Sequence, residues 1–474
     1  MEQILSAGID IGTSTTQVVF SRFTLDDTAG FFAAPSIRIL EKQVVYKSKI
    51  YFTPLLRETQ IDGAAVRAIV AAEYRAAGVS PGDVATGAAI ITGEAARKEN
   101  AAAVLAQISD FAGKFVVSTA GPDLESVIAG KGSGAAAWSA EHECAALNLD
   151  VGGGTTNLAR FDGGEPDAVG CLDVGGRLIR TDAGGTVTHV SPAAALAAEA
   201  AGVVLRPGER PGAGTLSRVT DEMARLLAQL SGLLPRRPLL EKVKTPGSSP
   251  YLADKLPQRI FFSGGVAACM AEKPDDPFVY GDIGVLLAGS IERVFSALPC
   301  PFGPGLETVR ATVVGAGTYT TTLSGSTISY TSDVFPLKNL PVLKLTAAEQ
   351  ADCLAGGTEA LERKVRWFLG QNDARCLALV LEGLRDPDYE ALQRLARSLS
   401  SVLDRQLPPG EPIVISVERD MAKALGNAVR RLVPGRKAAV IDRIRAGQND
   451  YLDLGQPLAN GLVVPVVVKT LIFG

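Results

Sequence analysis

Two stretches of this chain, 140 residues apart, are written to one plan: "GIDIGTSTTQVVF" at 8–20 and "LNLDVGGGTTNLARF" at 147–161. Setting Asp10 on Asp150 also sets Gly12 on Gly152, Thr15 on Thr155 and Thr16 on Thr156. Each copy reads as an apolar strand ending in a carboxylate, a turn of small residues, and a returning strand. Taken alone, a glycine cluster of this kind is more often a plain turn than a site, since glycine is costly in backbone entropy and usually marks only a loop. The shared Asp–x–Gly spacing reverses those odds and implies two related domains facing each other. Such hairpins suit a nucleoside triphosphate. Glycine lets backbone N–H groups approach phosphate oxygens, and hydroxyls add donors. The phosphate-facing candidates are Gly12, Thr13, Ser14 and Thr15 on one side, and Gly152, Gly153, Gly154 and Thr155 on the other. Mg²⁺ keeps several of its waters, so one or two carboxylates suffice to hold it. Asp10 and Asp150 are the metal-side candidates.

At 474 residues the chain is long for a single core, so two or three domains are expected. With 46% hydrophobic residues, 21% charged residues and a net charge of −4, a general nucleic-acid binder is disfavoured, because that role calls for a basic face. The six cysteines, at 144, 171, 269, 300, 353 and 376, form no CxxC pair. That spacing fits a thiol-reducing cytoplasm rather than a disulfide framework or zinc site. The start "MEQILSAGID" lacks a basic leader, so no signal peptide is expected. The late run "GLVVPVVVKTLIF" is too short to span a bilayer and carries Pro465 and Lys469. It reads as a buried strand pair.

Between and beyond the hairpins, strand and helix patterns alternate, the mark of an α/β fold with a substantially parallel core. "DGAAVRAIVAAEYRAAG" and "EAARKENAAAVLAQISDFAG" read as helices, "ATGAAIITG" and "KFVVST" as strands. "PDLESVIAGKGSGAAAWS" reads as one helix opened by Pro122 and Asp123, at cap-like positions. In "TLSRVTDEMARLLAQLSG", Val219, Met223, Leu226, Leu227 and Leu230 share a helical face, a core stripe rather than a cofactor box. Residues 233–258 form a Pro-rich excursion, and from about residue 300 the chain, with "ATVVGAGTYTTTLSGSTISYTS", reads as strand-rich. The expected division is 1–145, 146–299 and a C-terminal α/β region over 300–474.

The hairpins resemble the phosphate-1 and phosphate-2 motifs of the actin-like ATPase superfamily, which includes actin, heat-shock chaperones and sugar kinases. The resemblance implies two facing, duplicated α/β domains with ATP and Mg²⁺ between them. "FFSGGVA" resembles the adenosine motif, which would put Gly264 and Gly265 beside the nucleoside. The glycine turn of "VVGAGTYTTTLSG" at 315–317 is the alternative. The first is preferred because it precedes "YGDIGVLLAGSI", which resembles the superfamily's second connecting helix. The first connecting helix matches "PDLESVIAGKGSGAAAW"; an acid near its start positions the attacking water in relatives. That implies Glu125 as the catalytic candidate beside Asp10 and Asp150, with Asp123 in reserve. No GxxxxGK[ST] occurs, so "GKGSG" is not a P-loop.

Over essentially the whole chain the sequence is similar to the ethanolamine ammonia-lyase reactivating factors, most narrowly in "ITGEAARKENA" and "DYLDLGQPLANGLVVPVVVKTLIF". That family's activity implies an ATP-dependent chaperone, slow in hydrolysis. It would act on the adenosylcobalamin-dependent lyase, releasing damaged cobalamin so that intact cofactor can replace it. It also implies a cytoplasmic protein, with the bacterial microcompartment lumen and a homodimer left open. An actin-like small-molecule kinase is the alternative. Asp150 ahead of "VGGGTT" favours the ATPases that change shape, because the kinases often lack that aspartate. Filament and membrane roles find no closing amphipathic helix. Neither His142 nor His189 lies in a DxHxxG pattern, so the chain is expected to act on a cobalamin enzyme rather than carry cobalamin on its own imidazole.

Overall fold

The computed structural model describes residues 2–13, 15–27, 37–57, 59–112, 116–119, 122–248, 256–319, 322–325, 327–371, 374–385, 387–448 and 450–470. Ser14 lies outside the described residues. The first hairpin is β1 (Glu2–Ile11) and β2 (Thr15–Asp27), joined by β3 (Ile37–Lys47) and β4 (Tyr51–Phe52). A two-strand ribbon, β5 (Leu55–Arg57) and β6 (Gln60–Ile61), leads into α1 (Gly63–Ala77), and β7 (Val84–Ile91), α2 (Ala101–Ala112) and β8 (Val116–Thr119) follow. The sheet order is β3-β2-β1-β7-β8, with β4 beside β2. The strands β1, β7 and β8 run parallel, and β2 and β3 run antiparallel.

After α3 (Pro122–Gly132) and α4 (Ala135–His142), the pattern repeats. The second hairpin is β9 (Ala146–Val151) and β10 (Thr156–Asp162), followed by β11 (Glu165–Leu172). A ribbon of β12 (Ile179–Thr181) and β13 (Val187–Val190) precedes α5 (Pro192–Ala200), α6 (Ala213–Leu230) and α7 (Pro238–Lys242). Then come β14 (Arg259–Ser263), α8 (Gly264–Glu272), α9 (Gly284–Ser296) and β15 (Phe302–Pro304). The order is β11-β10-β9-β14-β15, with β9, β14 and β15 parallel and β10 and β11 antiparallel. Strand for strand, this is the permutation of the first sheet. The duplicated order, hairpin first, is that of the actin-like fold. The stripe on α6 is core: Val219, Met223, Leu226, Leu227 and Leu230 are all buried.

Each sheet's fifth strand feeds a helix that crosses to the other half. From β8 the chain enters α3, which packs on β9, β10 and β11, while from β15 it enters α10 (Ala311–Tyr319), which packs on β1, β2 and β7. The two helices also pack on each other. The second connecting helix is therefore α10, and this corrects two expectations. Residues 311–319 are helix rather than strand, and "YGDIGVLLAGSI" is α9, which packs on α6 and α8 within its own half. β-branched residues and glycines make 311–319 a poor helix former on propensity. Close approach explains their use. A Cβ on Gly132 would lie 1.8 Å from the Ala311 carbonyl oxygen, one on Gly315 2.1 Å from that of Ile128, and one on Gly8 2.5 Å from that of Val313. The "GKGSG" stretch is part of this crossing, where the expected single helix breaks at Gly134 in the left-handed region, φ +90°.

The C-terminal part is an eight-stranded sheet of β16 (Thr322–Leu323), β17 (Ser329–Tyr330), β18 (Leu337–Lys344), β19 (Ala378–Leu381), β20 (Ile413–Val417), β21 (Ala438–Asp442), β22 (Asp450–Leu454) and β23 (Pro465–Thr470). From β18 to β21 the strands are parallel. One face is covered by α11 (Ala347–Leu354), α12 (Glu359–Gln371), α13 (Tyr389–Gln406) and α14 (Ala422–Leu432) through a leucine-rich core. The late apolar run contributes one described strand, β23, rather than a pair: it turns back through the Leu458–Val463 bridge and pairs with β22. Leu323 and Leu458 pack on Ile4, Phe23 and Leu25 of the first sheet, at the far end of β1 from Asp10, about 20 Å at the usual strand rise.

Adding a methyl at the crossing should be costly. Gly132→Ala is expected to destabilise by about 1–3 kcal/mol, the usual cost of overpacking. Gly370→Ala, on α12 with nothing within 4 Å, should be neutral or stabilising. Equal thermal midpoints for the two variants would contradict this account of the crossing.

Candidate functional site

Both hairpins close alike. The Gly12 N–H donates to the Thr15 carbonyl at 2.8 Å, and the Gly152 N–H to that of Thr155 at 2.9 Å. These turns face each other across a cavity of about 550 Å³. Its wall includes Asp10, Gly12, Thr13 and Thr15 from the first hairpin, and Asp150 with Gly152 to Thr155 from the second. Glu125 enters from α3, while Asp123, although buried, is not part of the wall. Gly264 and Gly265, opening α8, line the cavity as well. Gly264 has φ +86°, and a Cβ there would lie 2.3 Å from the Val151 carbonyl oxygen, so only glycine lets α8 start this close to the second hairpin. By contrast, Gly315 and Gly317 lie within α10, away from the cavity wall. The preferred positions, Ser14 apart, thus meet in one place, while the reserve Asp123 and the alternative turn at 315–317 do not.

Burial dominates the electrostatics of the cavity carboxyls. Burial pushes the Asp10 carboxyl up to about 7, against a hydrogen bond from Thr92 and with help from the Asp150 charge. Glu125 is pushed up to about 8, first by burial, then by the charges of Asp10 and Asp150. The Gly93 N–H and the Asn157 amide oppose that rise. Asp150 is raised to about 6 by burial, opposed by the hydroxyls of Ser263 and Thr312. Among the described residues the cavity wall carries five carboxylates, Asp10, Glu125, Asp150, Glu272 and Asp282, against one cationic side chain, Arg177, which lies 3.9 Å from Asp282. The donors are hard oxygens, the kind Mg²⁺ takes. No group of three His, Cys, Asp or Glu among the described residues is placed to grip a bare ion. A metal held through its waters fits better.

Several wall residues escaped the sequence reading. The loop "DVGGR" at 173–177 runs beneath the second hairpin: Gly176 N–H donates to Gly152 O at 3.0 Å and Arg177 N–H to Gly153 O at 2.7 Å. Its wording nearly repeats the "DVGGG" at 150–154, which was the available signal. Thr312, on α10, was hidden by the strand-like reading of that segment. Glu272, Val279 and Tyr280 extend the wall beyond Gly265, with Val279 and Tyr280 about half exposed.

The family model for "Ethanolamine utilisation protein EutA" matches residues 2–474. The chain belongs to the EutA family. A relative from Salmonella typhimurium LT2, named ethanolamine ammonia-lyase reactivase EutA, is 39% identical over 473 residues, 99% of each chain. The Escherichia coli K12 protein of the same name is 38% identical over 474 residues, again 99% of each. Among solved structures, the Aquifex aeolicus Ppx/GppA family member aligns with 66% of this chain and 97% of its own, at 14% identity and a TM-score of 0.40. No helix among the described residues of this EutA-family chain is long and apolar enough to cross a membrane.

The raised carboxyls have a sign that can be checked. The folded chain holds protons that the unfolded chain releases above the ordinary carboxylate range, so this stability is present at low pH and lost as pH rises. The nucleotide-free protein should lose thermal stability from about pH 5 to about pH 8, and Glu125→Gln should flatten the upper part of that fall. Superimposable pH profiles for the two proteins would contradict the assignment.

Proposed function

We propose that this chain is an ATP-driven reactivating factor for ethanolamine ammonia-lyase. The observation that carries the reading is the near-complete match to two proteins bearing the reactivase name, at 39% and 38% identity. The cavity supports its ATPase side. Backbone N–H groups of Gly12, Thr13 and Gly152 to Thr155, with the Thr hydroxyls, would meet phosphate oxygens from two sides, and Ser14 joins them by sequence. Asp10 and Asp150 would hold hydrated Mg²⁺, whose charge offsets that of the phosphates. Gly264 and Gly265 would lie against the nucleoside. Glu125, whose pKa burial raises to about 8, would orient a water and accept its proton once a cation lowers that value.

Hydrolysis would be slow. Both halves grip the same phosphates, so losing the terminal one alters how the halves close. That closure would loosen the cobalamin-damaged lyase until the damaged cofactor leaves and adenosylcobalamin enters. The eight-stranded C-terminal part from β16 onward, none of whose described residues lines the cavity, is proposed to face the lyase. The factor would work where its lyase is, in the cytoplasm or a microcompartment lumen.

Glu125→Gln should slow hydrolysis by roughly 10²–10⁴-fold, the usual worth of a general base. Unchanged turnover would move the role elsewhere. The ADP and ATP forms should differ about 5–150-fold in affinity for inactivated lyase, an ordinary allosteric coupling. Asp10→Ala should still bind the lyase without restoring deamination. Restoration by Asp10→Ala, or by wild type without nucleotide, would refute the cycle. Polyols, sugars, acetate and ethanolamine should leave ATP turnover at its basal rate, and a phosphorylated product formed faster than basal hydrolysis would instead establish a kinase.

A further inference from the structure

The segment "TGEAARKENA" has no task in that cycle, yet its first two residues, Thr92 and Gly93, line the cavity. They follow β7, which holds the place in the first sheet that β14 holds in the second, each parallel to the first strand of its hairpin. The ends of these two strands match atom for atom. Thr92 Oγ1 donates to Asp10 Oδ1 at 3.0 Å, and Ser263 Oγ donates to Asp150 Oδ1 at 2.6 Å. The next residue in each case is a glycine in the left-handed region, Gly93 at φ +59° and Gly264 at φ +86°. The duplicated plan therefore includes a hydroxyl and a glycine contributed by the neighbouring strand. "ITGEA" and "FSGGV" are its two versions. They diverge in one respect: only the first has an acid to hold, since Gly93 N–H donates to Glu125 Oε2 at 3.0 Å.

We infer that Thr92 and Gly93 are positioning residues for ATP hydrolysis, setting the metal-side carboxylate and the water-orienting carboxylate relative to each other. The inference rests on the ATPase reading above. A carboxylate has two oxygens. Holding one of them with a fixed donor stops the group rotating and presents the other to the cavity. Thr92 does this for Asp10 and Gly93 for Glu125, from adjacent residues of one backbone segment. Two carboxylates from different elements are thereby tied to a single turn. Thr92 is itself 4% exposed and its N–H donates to Ile11 O at 3.2 Å, so the turn is anchored to the hairpin it serves.

The test compares Thr92→Val, which keeps the shape and removes the hydroxyl, with Thr92→Ser, which keeps the hydroxyl. ATP affinity is measured by calorimetry with Mg²⁺ and with EDTA, alongside hydrolysis kinetics. Thr92→Val should lower kcat roughly 10- to 100-fold, the worth of a hydrogen bond to a charged group, with little change in KM. It should also shrink the gain in ATP affinity that Mg²⁺ confers while leaving the metal-free affinity alone. Thr92→Ser should recover most of both. Wild-type kcat in Thr92→Val, equal damage in Thr92→Ser, or a parallel loss of metal-free affinity would each overturn the inference. A wild-type chain that neither binds nor hydrolyses ATP would sink the ATPase reading itself, whereas normal wild-type turnover with an insensitive Thr92→Val sinks only this proposal.

Discussion

Everything in the two-sheet part of the molecule depends on the crossing of α3 and α10. Their backbones come so close that Gly132 and Gly315 have no room for a methyl group, since each Cβ would lie about 2 Å from a carbonyl oxygen. Gly8, on the central strand β1, meets α10 in the same way. Because each helix grows from one sheet and packs on the other, the crossing joins the two halves into a single cleft. The same helices carry site residues: Glu125 is on α3, and Thr312, which hydrogen-bonds Asp150, is on α10. On the proposed reading, a change in cleft closure would involve this crossing, since α3 and α10 each pack on the other half's sheet and on each other.

The cleft concentrates charge that the fold by itself would avoid. Burying Asp10, Glu125, Asp150 and Asp282 around one cavity disfavours their charged forms, and each is shifted upward for that reason. Such groups are destabilising unless a ligand repays the cost, and clusters of this kind mark functional sites more often than structural ones. The hydroxyls of Thr92 and Ser263 and the Gly93 amide hold the carboxylates in place without neutralising them. On the proposed reading, a cation and a polyphosphate bound together would repay that cost.

Where the sequence reading missed, the cause was packing between distant segments. The residues of "ATVVGAGTY" have strand-like propensity, and they are helical because glycine at 315 and 317 allows an approach that no larger residue would. "YGDIGVLLAGSI" has a clean amphipathic pattern, but amphipathicity says only that a helix has a buried face, not which sheet it covers. The late apolar run looked like a strand pair because hydrophobicity reports burial, while its described part forms one strand, β23, preceded by the Leu458–Val463 bridge.

The sequence by itself determined the duplication, the hairpins and their aspartates, because a strand, a tight glycine turn and a returning strand are specified by neighbours within some fifteen residues. Its repeated spacing also located the two glycine turns that line the cavity. Only the tertiary structure decided which carboxylates share a cavity and what holds them. Asp10 and Thr92 are far apart in the chain, as are Gly93 and Glu125, and their meeting depends on the parallel pairing of β1 with β7 and on the path of α3. No local pattern encodes that distance. It is set by strand pairing within the first sheet and by the path of α3 across the glycine crossing.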